Sequence, residues 1–83
     1  MWLQTKDQLP QENQDVFFIP NYGENKILIG VFTKRPHKDT NFLGTFTDKN
    51  GNGYNYWKVA TRQEVLFWQP VIYPNAPNII FIQ

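Results

Sequence analysis

Short apolar runs dominate this sequence, and proline, asparagine or glycine separates each run from the next. Alternating apolar residues over about four to eight positions are typical of β-strands, and aromatic and β-branched side chains favour pleated sheets over helices. Runs of this kind lie at residues 16–19, 26–33, 42–47, 54–59 and 65–69. We therefore expect a mainly β protein, built as a small curled antiparallel sheet or open barrel of about five strands.

The run at residues 26–33 is apolar on both faces, because Ile29 and Val31 alternate with Leu28 and Phe32. A strand that faces water on one side would carry polar residues there. The pattern predicts a central strand in a sheet that curls enough to cover both of its faces.

Length and cysteine content restrict the domain organisation. With 83 residues and no cysteine, the chain is expected to form one domain without disulfides or thiolate metal sites, in the reducing cytoplasm. Residues 1–77 are predicted to form this domain, ending in a Pro-rich C-terminal extension, and residues 78–83 an apolar added strand. No apolar stretch has the length of a membrane span, and a net charge of +1 predicts no general attraction to nucleic acid.

A cluster of basic residues is the first candidate site. Lys34, Arg35, His37 and Lys38 place four potential cations within five residues, in a segment (34–41) that Pro36 predicts to be a loop. Such a cluster suits a phosphate or an acidic partner surface, although a solvated loop has the same composition. Any anionic ligand is expected to contact Arg35 or Lys38.

Two tyrosines complete the predicted ligand site. Tyr54 and Tyr56 share one face of a predicted strand. On an exposed face they would stack a base or anchor a partner, whereas on a covered face they would pack across strands.

The segment 48–53 has half of a calcium loop, with oxygen-bearing side chains at its first, third and fifth positions and Gly53 at the sixth. The twelfth position is Val59 instead of a bidentate Glu, so we predict a hairpin turn and no metal site.

No two carboxylates form an acid–base motif, and His37 is the only histidine. The sequence therefore predicts no enzyme activity and no cofactor.

Four consecutive apolar residues lie near the C-terminus: Ile79, Ile80, Phe81 and Ile82. Exposed to water, these residues would form an apolar strand edge that promotes aggregation, so we expect them to be buried. We predict a homo-oligomer in which this segment adds a strand to a neighbouring subunit. The alternative is that the segment wraps onto its own subunit.

Residues 2–10, 15–18, 56–57 and 65–70 together resemble a small family of phage and prophage proteins, domain of unknown function 551. Members open with Trp, an acid and Leu-Pro, as Trp2, Asp7 and Leu9 do here, and close with His-Trp-x-Pro. This chain has Phe67 at the histidine position, and its tail is an addition to the pattern. The resemblance implies a phage or prophage origin and brings no agreed activity.

These features predict a non-enzymatic binding module in the cytoplasm of a bacterial host, with a small anionic ligand or a host protein as its partner. The hypothesis is a counter-defence protein that sequesters a small nucleotide immune signal. The alternatives are an inhibitor of a host defence protein and a structural or assembly accessory of the virion. A nucleotide binder needs Arg35 or Lys38 beside stacking rings, whereas an inhibitor of a protein needs an exposed apolar patch without convergent cations.

Overall fold

The computed structural model describes residues 1–21, 26–59 and 63–72. These residues form β1 (Leu3–Gln4), β2 (Gln14–Pro20), β3 (Leu28–His37), β4 (Phe42–Asp48), β5 (Gly53–Trp57) and β6 (Val65–Pro70). The strands pair antiparallel in one sheet of order β1-β6-β2-β3-β4-β5, which is not closed into a barrel. The predicted small curled antiparallel sheet is confirmed, with the short β1 as an additional strand.

Strand β3 lies between β2 and β4, which confirms that it is central. Gly30 and Phe32 are buried on one face, and Ile29 and Val31 are half-buried on the other. The strand continues to His37, so the prediction that a loop begins at residue 34 is wrong. A register shift between Lys34 and His37 interrupts the ladder and accommodates a proline, which has no N–H to donate.

Aromatic rings fill the core face of the sheet. Phe18, Phe32 and Phe46 are fully buried. The Phe46 ring centroid lies 4.8 Å from that of Phe32 and 5.3 Å from that of Phe18. Trp68 is also buried, and its indole Nε1 donates a hydrogen bond of 2.7 Å to the carbonyl of Gln8. This packing ties four strands and the segment after β1 into one core.

Close contact between β3 and β4 requires glycine at Gly44. A Cβ atom at this position would lie 2.5 Å from Cζ of Phe32 and 2.6 Å from the carbonyl oxygen of Thr33. Both distances are shorter than van der Waals contact, so a side chain here would push the Phe32 ring out of the core. The glycine therefore allows the backbone to pack directly against an aromatic ring.

The C-terminal segment lies beyond the last described residue, Ile72. The predicted added strand, Ile79, Ile80, Phe81 and Ile82, is outside the described residues, as is the end of the Pro-rich extension. In the part of the chain that the structure describes, no helix has the length and apolar character needed to cross a membrane.

The turn between β4 and β5 is held by the carboxylate of Asp48. Its Oδ1 accepts hydrogen bonds from the backbone N–H groups of Asn50, at 2.9 Å, and Asn52, at 3.0 Å. Gly51 has a φ of 83°, a conformation that glycine adopts without strain. The predicted hairpin turn is confirmed, and the carboxylate that would be the first calcium ligand instead accepts bonds from the turn itself.

We expect millimolar calcium to leave the melting temperature unchanged, because Asp48 is engaged by the turn and Val59 offers no side-chain oxygen. The measurement is thermal unfolding with and without calcium, with Asp48→Ala as the control variant. Loss of the carboxylate should lower the melting temperature by about 4 °C or more, in either condition. A calcium-dependent rise of several degrees in the wild type that disappears in Asp48→Ala would show that the turn is a metal site.

Candidate functional site

Three clefts of the described structure share Lys58 in their lining. We name them the basic cleft, of about 400 Å³, the seam cleft, of about 330 Å³, and the edge cleft, of about 440 Å³. Leu43 is shared by the basic and seam clefts, and Tyr56 by the seam and edge clefts. The three clefts therefore adjoin at shared residues, and we refer to them together as the groove; each cleft is in the size range of small-molecule sites.

The seam and edge clefts lie in the gap between the two edge strands of the sheet, whereas the basic cleft lies between the turn after β3 and the residue that follows β5. The sheet begins with β1 and ends with β5, and these strands do not pair with each other. A tight turn follows β1, closed by a 3.0 Å hydrogen bond from the N–H of Asp7 to the carbonyl of Gln4. The turn lines the seam cleft on one side, and Tyr56 and Lys58 line it on the other. The seam cleft thus lies where the sheet would close if it were a barrel.

A side-chain amide holds the end of β5 beside the start of β6. Nε2 of Gln63 donates to the carbonyl of Trp57 at 2.6 Å, and its Oε1 accepts from the Trp57 N–H at 3.1 Å. The Gln63 carbonyl in turn accepts a hydrogen bond of 2.9 Å from Nδ2 of Asn21. Because both backbone groups of Trp57 are paired in this way, the next residue, Lys58, is held at the junction of the clefts.

The basic cleft collects part of the predicted cluster. Its lining includes His37, Lys38, Phe42 and Lys58. The N–H of Lys58 donates a 2.7 Å hydrogen bond to the carbonyl of Asn41, which brings the end of β5 against the turn between β3 and β4. Phe42 packs edge-on against Trp57, with ring centroids 5.8 Å apart, so an aromatic ring lies beside the cations.

Lys34 and Arg35 are also in the predicted cluster, but they line none of these three clefts. Both are exposed on the last part of β3. The N–H of Lys34 donates a hydrogen bond of 2.8 Å to the carboxylate of Glu12. The structure therefore brings His37 and Lys38 into the groove and leaves the other two residues of the cluster outside it.

The two predicted ring partners, Tyr54 and Tyr56, do not form an exposed stacking platform. Tyr56 is 5% exposed and belongs to the core, and Tyr54 packs edge-on against Phe18 at 5.5 Å. They share one strand face, as the alternation predicts, but that face is the core side of the sheet. Only Tyr56 lines the groove, at the seam and edge clefts.

Two polar groups in the seam cleft have unusual environments. Burial raises the pKa of the Tyr56 hydroxyl, and the negative charge of Asp7 raises that pKa further. Thr5 is 2% exposed, and within the described part of the chain its Oγ1 has no hydrogen-bond partner. The Tyr56 phenol therefore stays protonated at neutral pH, and Thr5 Oγ1 is a buried oxygen that a molecule in the cleft cannot contact.

Lys58, Lys6, Thr5 and Phe42 are groove residues that sequence reasoning missed. The sequence did contain a signal for Phe42. A hairpin with its tip at residues 50–51 places the start of β4, where Phe42 lies, opposite the end of β5. The ladder has this register, with Phe42 opposite Trp57. No comparable signal existed for Thr5 and Lys6, because the distance between sheet edges depends on the curl of the whole sheet.

The groove offers cationic groups, a hydroxyl and an aromatic ring, which is the chemistry needed to hold a small anion with an apolar part. Among the described residues, no group of three or more His, Asp or Glu side chains is arranged to hold a metal ion.

The chain matches no family model, no curated protein and no solved structure.

Proposed function

We propose that this protein is a non-enzymatic binding module that holds a small anionic ligand, of the nucleotide class, in the groove around Lys58. The observation that carries the proposal is that one lysine lines all three clefts. A ligand in any part of the groove is within reach of this charge. Lys38 and His37 in the basic cleft and Lys6 in the seam cleft add further donors around it.

Electrostatics favour a local anion site here despite the small net charge. Lys38 and Lys58 are exposed, but a cleft that gathers charges of one sign raises the local concentration of an oppositely charged ligand. Lys38 and Lys58 line the basic cleft without a carboxylate beside them in its lining. Phe42 offers a ring against which a base can pack. This pairing of cations with a ring favours a nucleotide over inorganic anions.

The biological role we propose is sequestration. The resemblance to a phage and prophage family suggests a setting in the bacterial cytoplasm, where a small protein that captures a nucleotide immune signal would act as a counter-defence factor. Binding without turnover needs no catalytic group. The groove offers one histidine, His37 in the basic cleft, while the carboxylate of Asp7 lines the seam cleft.

The second face of the sheet supports an alternative function, the binding of a protein. Apolar residues of this face adjoin one another across the strands: Phe17, Ile19, Ile29, Val31 and Phe67. Phe17 is opposite Ile29, Ile19 is opposite Phe67, and Phe67 is 37% exposed. An apolar sheet face of this kind suits a host defence protein, a virion component or a second copy of this chain.

Removing positive charge from the groove should weaken nucleotide binding. For Lys58→Ala and Lys38→Ala we expect the affinity for ADP and for a cyclic dinucleotide, measured by titration calorimetry, to fall about tenfold or more. Arg35→Ala should have a smaller effect, because Arg35 lines none of the three clefts. Lys49→Ala, in the exposed β4–β5 turn, is the matched control. Equal affinity in all four variants would exclude the groove as the site.

Removal of residues 78–83 should reduce the mass measured by light scattering from that of an oligomer to that of a monomer. The reason is that Ile79, Ile80, Phe81 and Ile82 are proposed to add a strand to a neighbouring subunit. A full-length protein that is monomeric at high concentration would refute this assembly. A truncated protein that unfolds would indicate that the segment covers its own subunit.

A further inference from the structure

The two edges of the sheet differ in how well their backbone groups are protected. Strand β1 forms one edge, and its Gln4 carbonyl already accepts hydrogen bonds from the N–H groups of Asp7 and Gln8. Beside it, β6 ends at Pro70, which has no N–H to donate. The other edge is β5, whose five residues include neither a charge nor a proline. Natural sheets use charges, prolines and very short strands to prevent edge pairing, so β5 is the edge at which another strand can add.

The hydrogen-bonding pattern between β4 and β5 shows which backbone groups of β5 face outward. The N–H of Asp48 donates to the carbonyl of Asn52 at 3.0 Å, so these residues form a hydrogen-bonded pair. Such pairs alternate along an antiparallel ladder, so the next residue of β5 that bonds to β4 is Tyr54. Gly53 and Asn55 therefore direct their N–H and C=O groups away from β4. Among the described strands, none pairs with β5 on that side.

One outward position of β5 already has a partner. Trp57 follows in the same alternation as Asn55, and the side-chain amide of Gln63 bonds both its N–H and its carbonyl, at 3.1 and 2.6 Å. The amide thus takes the place that a peptide group of an adjacent strand would occupy. It covers only the end of β5, and the outward groups of Gly53 and Asn55 remain for an added strand.

The chain's own residues 78–83 suit this edge. These six residues include neither a charge nor a proline, and four of them are apolar with β-branched or aromatic side chains, which favour strands. Their length matches the five residues of β5. Apolar residues on both faces are typical of a strand that is covered on both sides, as a strand between two subunits is.

The strand registers indicate that a second copy supplies the added strand. Pro70 is opposite Val16. Val16 is opposite Gly30, which is opposite Asp48 at the β4–β5 turn. The end of β6 is therefore level with the start of β5, and both strands run in the same direction. The prolines that follow favour an extended chain, which places Ile79 about 28 Å beyond Pro70. Because β5 spans only about 17 Å, the apolar residues pass their own β5.

We propose that β5 is the acceptor edge for residues 78–83 of a second copy, with the N–H and C=O groups of Gly53 and Asn55 as their backbone partners. Each copy has one such edge and one such segment, so reciprocal exchange gives a closed two-fold dimer. This acceptor edge rests on the strand addition proposed above for residues 78–83. Gly53 and Asn55 line none of the three clefts, so nucleotide binding in the groove is a separate claim.

Amide hydrogen exchange of the full ¹⁵N-labelled chain tests the acceptor edge residue by residue. We expect the N–H groups of Gly53 and Asn55 to be protected in the full chain and to exchange about tenfold faster or more after removal of residues 78–83. Tyr54 and Tyr56 are the matched controls, because their N–H groups face β4 and stay protected in both proteins. An Asn55 amide that exchanges equally fast in both proteins would overturn the proposal.

A proline at position 55 tests the same edge by light scattering. Asn55→Pro removes an outward N–H without breaking a bond to β4, so it should convert the dimer into a monomer. Asn55→Ala is the control, because it loses the same 2.9 Å side-chain hydrogen bond with Thr45 but keeps the N–H, and it should remain a dimer. Circular dichroism checks that both variants are folded.

The outcomes distinguish the acceptor edge from the strand addition itself. A dimer that persists in Asn55→Pro and dissociates on removal of residues 78–83 would overturn β5 as the acceptor and leave strand addition in place. A monomeric full chain with a protected Asn55 amide would show that the segment pairs with its own β5, and it would refute the exchange. The nucleotide affinity of Lys58→Ala is a separate measurement that neither result decides.

Discussion

The close packing of three phenylalanine rings on one side of the sheet is the constraint on which the other features depend. Phe18, Phe32 and Phe46 are fully buried against one another. They can approach this closely because Gly44 leaves room where any side chain would meet the Phe32 ring. A sheet of this size can enclose such rings only by curling around them, since no helix or second sheet covers them among the described residues.

Curling brings the edge strands β1 and β5 towards each other but does not join them. Gln63 bonds both backbone groups of Trp57 and so connects the end of β5 to the start of β6, which narrows the opening at one point. The remaining opening holds the seam and edge clefts, and Lys58 lines both of these and the basic cleft. The seam and edge clefts are thus a consequence of incomplete closure: the core determines how far the edges are apart, and the residues at those edges line the clefts.

The sequence predicted the parts that depend on local pattern. Apolar residues on both faces of the run at residues 26–33 identified β3 as central, and the segment 48–53 identified the β4–β5 turn. The tyrosines show the limit of such patterns, because alternation places Tyr54 and Tyr56 on one face without indicating that this face is the core. Lys58 was missed for a related reason. It is a single lysine after a strand, and it becomes central only when residues distant in sequence, at positions 5–9 and 36–43, are brought around it.

The groove is proposed to carry a small anionic molecule in the cell, and native mass spectrometry tests this claim most directly. Wild-type protein and the Lys58→Ala variant would be isolated in parallel from infected bacterial cells. We predict that each wild-type subunit carries the additional mass of one small molecule and that the variant carries none. A wild-type protein found with a host protein and without a small molecule, or the same adduct on both proteins, would contradict the account.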